Sequence, residues 1–241
     1  MRLLVSVRSA AEVAAAVTGG ADIVDAKEPA MGSLGAVSGR VLREIALSVP
    51  AGVPLSIALG EPKDVAALEA AMAVLQGLTP RLSRVYVKIG LSAAGDGAEA
   101  LLPALVDLAS RTPIRPSVVA VAYADYVAAG APAPETVARL AAAAGADGVL
   151  LDTWGKDGGD LLHHLAEPVL HAWIGQVRAA GLLVALAGSL SIKGVRAVAE
   201  LPADIVGVRG AACVGGRTGV VSERRVAELK AALSQGAAAS A

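Results

Sequence analysis

Short apolar runs alternate with segments of helical periodicity along almost the whole chain. Leu3 to Val7, Asp22 to Lys27, Val53 to Leu59, Val85 to Lys88, Val118 to Ala122, Val149 to Asp152, Leu182 to Ala187 and Asp204 to Val208 read as eight strands. Helices are expected from Ser9, as N-cap, to Thr18, over Val41 to Val49 with Pro50 as stop, and from Pro62 to Gln76. Further helices are expected over Ala98 to Ser110, Pro134 to Ala144, Leu161 to Ala180, Ile192 to Glu200 and Ser222 to Ser234. Strand then helix about eight times, with apolar strands and no hairpin turns, calls for a parallel sheet covered by helices. Eight such units in 241 residues point to an α/β fold, a closed (β/α)8 TIM barrel. It would form a single domain over residues 1–241, with a frayed Ala-rich tail after Gln235. A weak internal echo supports the repeat: Gly20-Ala-Asp-Ile-Val-Asp25, Gly145-Ala-Asp-Gly-Val-Leu-Leu-Asp152 and Pro202-Ala-Asp-Ile-Val-Gly-Val-Arg209. The first two fall on the second and sixth strands, which face each other across an eight-stranded barrel.

Charged residues interrupt this pattern at strand ends, most plainly in Asp25-Ala-Lys27. Side chains alternate across a strand, so Ile23, Asp25 and Lys27 share one face. A buried ion costs several kcal/mol of desolvation, which a sequence tolerates more readily where the charge has work to do. The other reading ends the strand at Asp25 and leaves Lys27 solvated. In a barrel, catalytic groups sit at the C-terminal strand ends and alternate strands share a layer. The even strands end in Asp25 and Lys27, Lys88, Asp152 and Arg209, with Lys156 just beyond the sixth, and these would converge on one mouth. That convergence favours Lys27, Asp25, Lys88, Asp152 and Lys156 as catalytic. Lys88 as a snorkelling lysine and Lys156 as a solvated loop lysine are the bland alternatives. A buried lysine serves either as a cation for phosphate or as a neutral amine that attacks a carbonyl, the latter needing a depressed pKa. Asp25 and Asp152 would then move protons.

Phosphate has its own signal in the loops after the last two strands, Ala187-Gly-Ser-Leu190 and Val208-Arg-Gly-Ala-Ala-Cys213. Gly188, Ser189, Arg209, Gly210 and Ala211 are the candidates there. The loop from Glu28 to Ser38 lacks periodicity, and its Gly32 and Gly35 suit a mobile lid or a backbone anion site. Tyr123 and Trp154 would lie near the mouth and pack or close over a substrate. His163, His164 and His171 fall on an outer helix.

Composition narrows the function classes. A net charge of −1 gives no electrostatic case for nucleic acid or an anionic membrane as partner. One cysteine, Cys213, excludes an internal disulfide and reads as a packed thiol in a reducing cytoplasm. The run from Met1 to Arg8 is too short for a secretory signal, and no apolar stretch reaches the roughly 18 residues of a span. Hydrophobic residues make up 55% of the chain, enough for a large core, yet Phe is absent, so Val, Leu, Ile and Ala must fill it. The Ala/Val/Leu-rich helices offer faces for a homo-oligomer. No HExxH, CxxC, carboxylate cluster or GxGxxG points to a metal or dinucleotide.

Asp22-Ile-Val-Asp-Ala-Lys-Glu-Pro29 with Gly32-Ser-Leu-Gly-Ala36 resembles the (5-formylfuran-3-yl)methyl phosphate synthase family of methanofuran biosynthesis. So do Val87-Lys-Ile-Gly-Leu91, Tyr123-Ala-Asp125, Leu151-Asp-Thr-Trp-Gly-Lys-Asp-Gly158, Ala185-Leu-Ala-Gly-Ser189 and Asp204-Ile-Val-Gly-Val-Arg-Gly-Ala-Ala-Cys213. The resemblance implies a metal-free, cofactor-free cytoplasmic lyase of one-carbon metabolism. It would condense two glyceraldehyde 3-phosphate molecules into the furan phosphate with loss of phosphate and water. Lys27 would carry the Schiff base, with Asp25, Lys88, Asp152 and Lys156 transferring protons and positioning substrate, and Tyr123 and Asp125 joining the substrate-binding set. The segment Val214 to Gly219 is shorter than the family's pattern, so the second phosphate site is open. The competing readings are an aldolase or isomerase acting on one sugar phosphate, and a non-catalytic barrel that binds a phosphometabolite.

Overall fold

The computed structural model describes residues 1–78, 82–156 and 158–239. In chain order the elements are β1 (Arg2–Val7), α1 (Val13–Thr18), β2 (Ile23–Ala26), α2 (Gly39–Ser48), β3 (Leu55–Ala58), α3 (Val65–Met72), β4 (Val85–Gly90) and α4 (Ala98–Arg111). There follow β5 (Ser117–Tyr123), α5 (Tyr126–Ala129), α6 (Pro134–Ala144), β6 (Gly148–Asp152), α7 (Leu161–His164), α8 (Glu167–Ala179), β7 (Leu183–Leu186) and α9 (Ile192–Val198). The chain ends in β8 (Ile205–Val208), β9 (Cys213–Val214), β10 (Val220–Val221) and α10 (Glu223–Ala239). Strands β1 to β8 pair in sequence order, all parallel, and β8 closes on β1.

Alternation along each strand makes two cores. Outward residues such as Leu3, Val5, Val24, Ile57, Val87, Leu151 and Val206 pack under the helices. Inward residues Ile23, Tyr86, Val119, Leu150, Ala185 and Ile205 fill the lower barrel. Each large apolar side chain so buried contributes roughly 1.5–3 kcal/mol. Higher up, the inward positions turn polar: Ser6 stands beside Asp25, Asp25 beside Ser56, and Tyr123 beside Asp152. The register thus raises the hydroxyls and charges to one end.

The echo in the sequence has a structural cause. Asp22, Asp147 and Asp204 each stand just before a strand. Their carboxylates accept from the backbone N–H of Leu3, Val118 and Val184, at 2.7, 2.7 and 2.8 Å. Their own N–H groups donate to the carbonyls of the same three residues at 2.8, 2.8 and 2.9 Å. Each aspartate therefore staples the start of its own strand to the start of the strand before it.

Several elements differ from expectation. The helix read from Leu161 to Ala180 is two, and Pro168 falls in the first turn of α8, where its missing N–H costs nothing. The helix expected at Pro62 starts at Val65, where Asp64 caps Ala67 N–H at 2.8 Å. Ser9 does not cap with its side chain; a 3₁₀ turn at Ala10–Glu12 precedes α1. The antiparallel pair β9–β10 is a hairpin where none was expected, and α10 continues past Gln235 to Ala239. Among the described residues no helix is long and apolar enough to cross a membrane.

Candidate active site

At the C-terminal end of the barrel the structure opens into a cavity of about 630 Å³. Asp25, Lys27, Lys88, Asp152 and Lys156 all line it, as do Gly188, Ser189, Arg209, Gly210 and Ala211. Seven basic side chains face two acidic ones there, within a chain of net charge −1.

Two ion pairs flank Lys27. Lys88 Nζ lies 2.8 Å from Asp25 Oδ1, and Lys156 Nζ lies 2.8 Å from Asp152 Oδ1. Ser6 donates to the other oxygen of Asp25 at 2.7 Å, and the Thr153 N–H donates to Asp152 at 2.7 Å. Asp25 is fully buried, which by itself raises a carboxyl pKa. Lys88, Lys27 and the Ser6 hydroxyl outweigh that and hold it below the ordinary range. Burial works against Asp152 in the same way, but Lys156, Lys27 and the Thr153 N–H bring it down to about 2. Both carboxylates are therefore ionised near neutrality. Lys27 is in the opposite position: 8% exposed, with no hydrogen bond or ion pair at its amine among the described residues. Burial lowers its amine from 10.5 to about 8, Lys88 and Lys156 assist, and the attraction of Asp152 and Asp25 opposes the shift.

The wall formed by the loops after β7 and β8 is built from small residues. Gly188 and Ser189 both have positive φ, 105° and 51°, and a Cβ at Gly188 would press on Thr153 Cγ2 at 2.9 Å. Arg209 lines this wall but departs from its expected role. Its guanidinium donates to Glu12 at 2.6 and 3.1 Å, to the carbonyl of Ser6 at 2.9 Å, of Gly219 at 2.7 Å and of Arg217 at 3.0 Å. Those five bonds use its five N–H groups, leaving none for a phosphate. Arg209 ties the top of the barrel to the turn before α1 and to the β9–β10 hairpin. No local pattern marks this tie, because Glu12 reads as a surface helix residue.

Tyr123 and Asp125 stand outside the cavity wall and act on its loops. The Tyr123 hydroxyl donates to Glu61 Oε1 at 2.5 Å, and burial together with the Glu61 carboxylate pushes the phenol pKa well up. Gly90 makes room for this contact, since a Cβ there would lie 2.4 Å from the Tyr123 hydroxyl. Asp125 accepts from Trp154 and Gly155 N–H at 2.7 and 2.8 Å and so fixes the loop that carries Lys156. Trp154 itself is exposed. The loop after β2 is packed rather than lid-like: Leu34 is buried, Ser33 donates to the Thr153 carbonyl at 2.9 Å, and Glu28 N–H donates to Gly35 at 2.8 Å.

Ser6, Ser56, Ser33 and Glu61 are the site residues that sequence reasoning missed. Parity would have found the first two, because Ser6 is two residues from Leu4 on the inward face and Ser56 pairs with Asp25. Cys213 is buried and burial raises its thiol pKa. Among the described residues no group of three or more His, Cys, Asp or Glu side chains is placed to hold a metal ion.

A sequence profile of the 4-HFC-P synthase family matches residues 3–230. The chain belongs to that family. Similar to it is the (5-formylfuran-3-yl)methyl phosphate synthase of Archaeoglobus fulgidus, 35% identical over 97% of this chain and 99% of that one. So is the synthase of the same name from Methanothermobacter thermautotrophicus, 37% identical over 95% and 98%. As a member of the 4-HFC-P synthase family the chain is an enzyme. Among solved structures, 3-hexulose-6-phosphate synthase from Salmonella typhimurium matches with a TM-score of 0.65 at 16% identity, covering 98% of this chain and 100% of that one. Phosphoribosyl anthranilate isomerase from Thermus thermophilus matches at 0.61 and 16%, covering 98% and 99%. At such identities these two speak for the barrel fold alone.

Proposed function

We propose that the chain condenses two glyceraldehyde 3-phosphate molecules into (5-formylfuran-3-yl)methyl phosphate, releasing one phosphate and two waters, through an imine on Lys27. The observation that carries the reading is the Lys27 amine itself: desolvated, unpartnered among the described residues and lowered to about 8. At pH 7 about one amine in ten would be neutral, against about one in three thousand at the ordinary value. That is a gain of roughly 300-fold in the nucleophilic form.

In this reading one triose isomerises to its ketone and Lys27 Nζ bonds to the carbonyl carbon. The carbinolamine oxygen takes a proton from the Lys88 or Lys156 ammonium and leaves as water. An ionised carboxylate, Asp25 or Asp152, then accepts a proton from the neighbouring carbon, giving an enamine. The enamine carbon bonds to the aldehyde carbon of the second triose, whose oxygen is protonated. Ring closure and elimination expel one phosphate and two waters, and hydrolysis of the imine consumes the water released in forming it, so the net loss is one phosphate and two waters. The reaction needs no redox partner. The product would supply the furan of a methanofuran-type cofactor.

The test is to incubate the protein with glyceraldehyde 3-phosphate and follow ultraviolet absorbance and inorganic phosphate. A conjugated furaldehyde band should rise with one phosphate per two trioses consumed, and Lys27→Ala should abolish it in a folded barrel. Turnover without that chromophore would overturn the reading.

A further inference from the structure

We propose that Arg225, assisted by Lys193, forms the cationic half of a phosphomonoester site in the cavity that Lys27 also lines. Arg225 projects from the first turn of α10 and lines the same cavity as Gly188, Ser189 and Gly210. Its Nε is buried and has no hydrogen-bond partner in the protein. A buried, unpaired guanidinium N–H costs free energy unless a ligand satisfies it. The neighbouring cation cannot do this work, because the five N–H groups of Arg209 are already bonded to Glu12 and three carbonyls. Lys88 and Lys156, which line the same cavity, are each paired with a carboxylate. Lys193, exposed in the first turn of α9, adds a second cation at the rim.

A planar guanidinium in a cavity also lined by small residues suits a dianionic phosphate, which accepts two parallel N–H bonds and needs close backbone approach. Ser189 supplies a hydroxyl on the adjacent wall. The site would anchor the phosphate of one triose while its carbon chain reaches toward Lys27. This assignment rests on the reading that the cavity takes triose phosphates.

Glycerol 3-phosphate is the probe, because it carries the phosphate but no carbonyl and cannot form an imine. Calorimetry on the full chain should show it binding wild type and Lys27→Ala alike. Arg225→Gln should weaken binding by about tenfold to a hundredfold, as expected for a charge-assisted pair. Lys193→Ala should weaken it by about threefold, as expected for an exposed cation. Arg225→Lys, which keeps charge without the fork, should fall between wild type and Arg225→Gln. In wild type, glycerol 3-phosphate should protect Arg225 from dicarbonyl modification read by peptide mass, a measurement that needs no variant to fold. Absent binding by wild type, unchanged affinity in Arg225→Gln, or no protection would each overturn the site. Loss of imine trapping with glycerol 3-phosphate binding intact would sink the chemistry proposed above and leave this site standing.

Discussion

Burial of Lys27 sets the stability of the chain against the reactivity proposed for its amine. Its amine titrates near 8 in the folded chain against 10.5 ordinarily, so folding below pH 8 carries a protonated group into a place that disfavours it. Both states are protonated there, and the full penalty stands, up to about 3 kcal/mol. Between 8 and 10.5 the unfolded chain binds the extra proton, stability climbs with pH, and above 10.5 the penalty is gone. Lys27→Met should therefore raise stability at pH 7 while removing activity, and denaturant titrations at pH 7 and 10.5 should show the difference shrinking. An unchanged or lower stability at pH 7 would contradict the burial account. For the same reason the rate of imine formation should rise with pH to a plateau above about 8, because only the neutral amine attacks. A rate flat from pH 6 to 9 would remove the neutral-amine requirement.

At the level of elements, the buried pair between Arg209 and Glu12 decides how the top of the barrel is held. Glu12 is 3% exposed and also accepts from Arg8 N–H at 2.8 Å, so one carboxylate gathers β1, the turn before α1, and the end of β8. Glu12→Ala would leave a guanidinium buried and half bonded, and should cost about 3–5 kcal/mol in chemical denaturation. A loss under about 1 kcal/mol would mean that the pair is not a structural tie. This is also where sequence reading ran out. Strands declare themselves by apolar runs and their parity by alternation, so the convergence of Asp25, Lys88 and Asp152 could be read from the chain. The partner of Arg209 lies 197 positions away and is fixed only when β8 closes on β1. Pro168 was a local signal against one long helix, outweighed by the apolar periodicity on either side of it.

For the whole molecule, a net charge of −1 conceals a separation of charge. Basic side chains outnumber acidic ones seven to two around the cavity, while most carboxylates lie elsewhere. Composition alone argued only against nucleic acid and membrane; the field at the mouth emerges from topology, which carries Lys88, Lys156, Lys193 and Arg225 to one end from separate units. A substrate bearing phosphate should feel that field. Raising ionic strength from about 0.05 to 0.5 M, which cuts the screening length severalfold, should raise KM for a triose phosphate by about threefold or more. KM for unphosphorylated glyceraldehyde should stay put. Equal salt responses would show that the mouth does not select by charge.

The most direct measurement is reduction with borohydride in the presence of glyceraldehyde 3-phosphate, followed by peptide mass analysis. The account predicts one stable adduct, on the peptide containing Lys27, absent when substrate or borohydride is left out. Furan product forming at full rate with no adduct, or an adduct on Lys88 or Lys156 in its place, would contradict it.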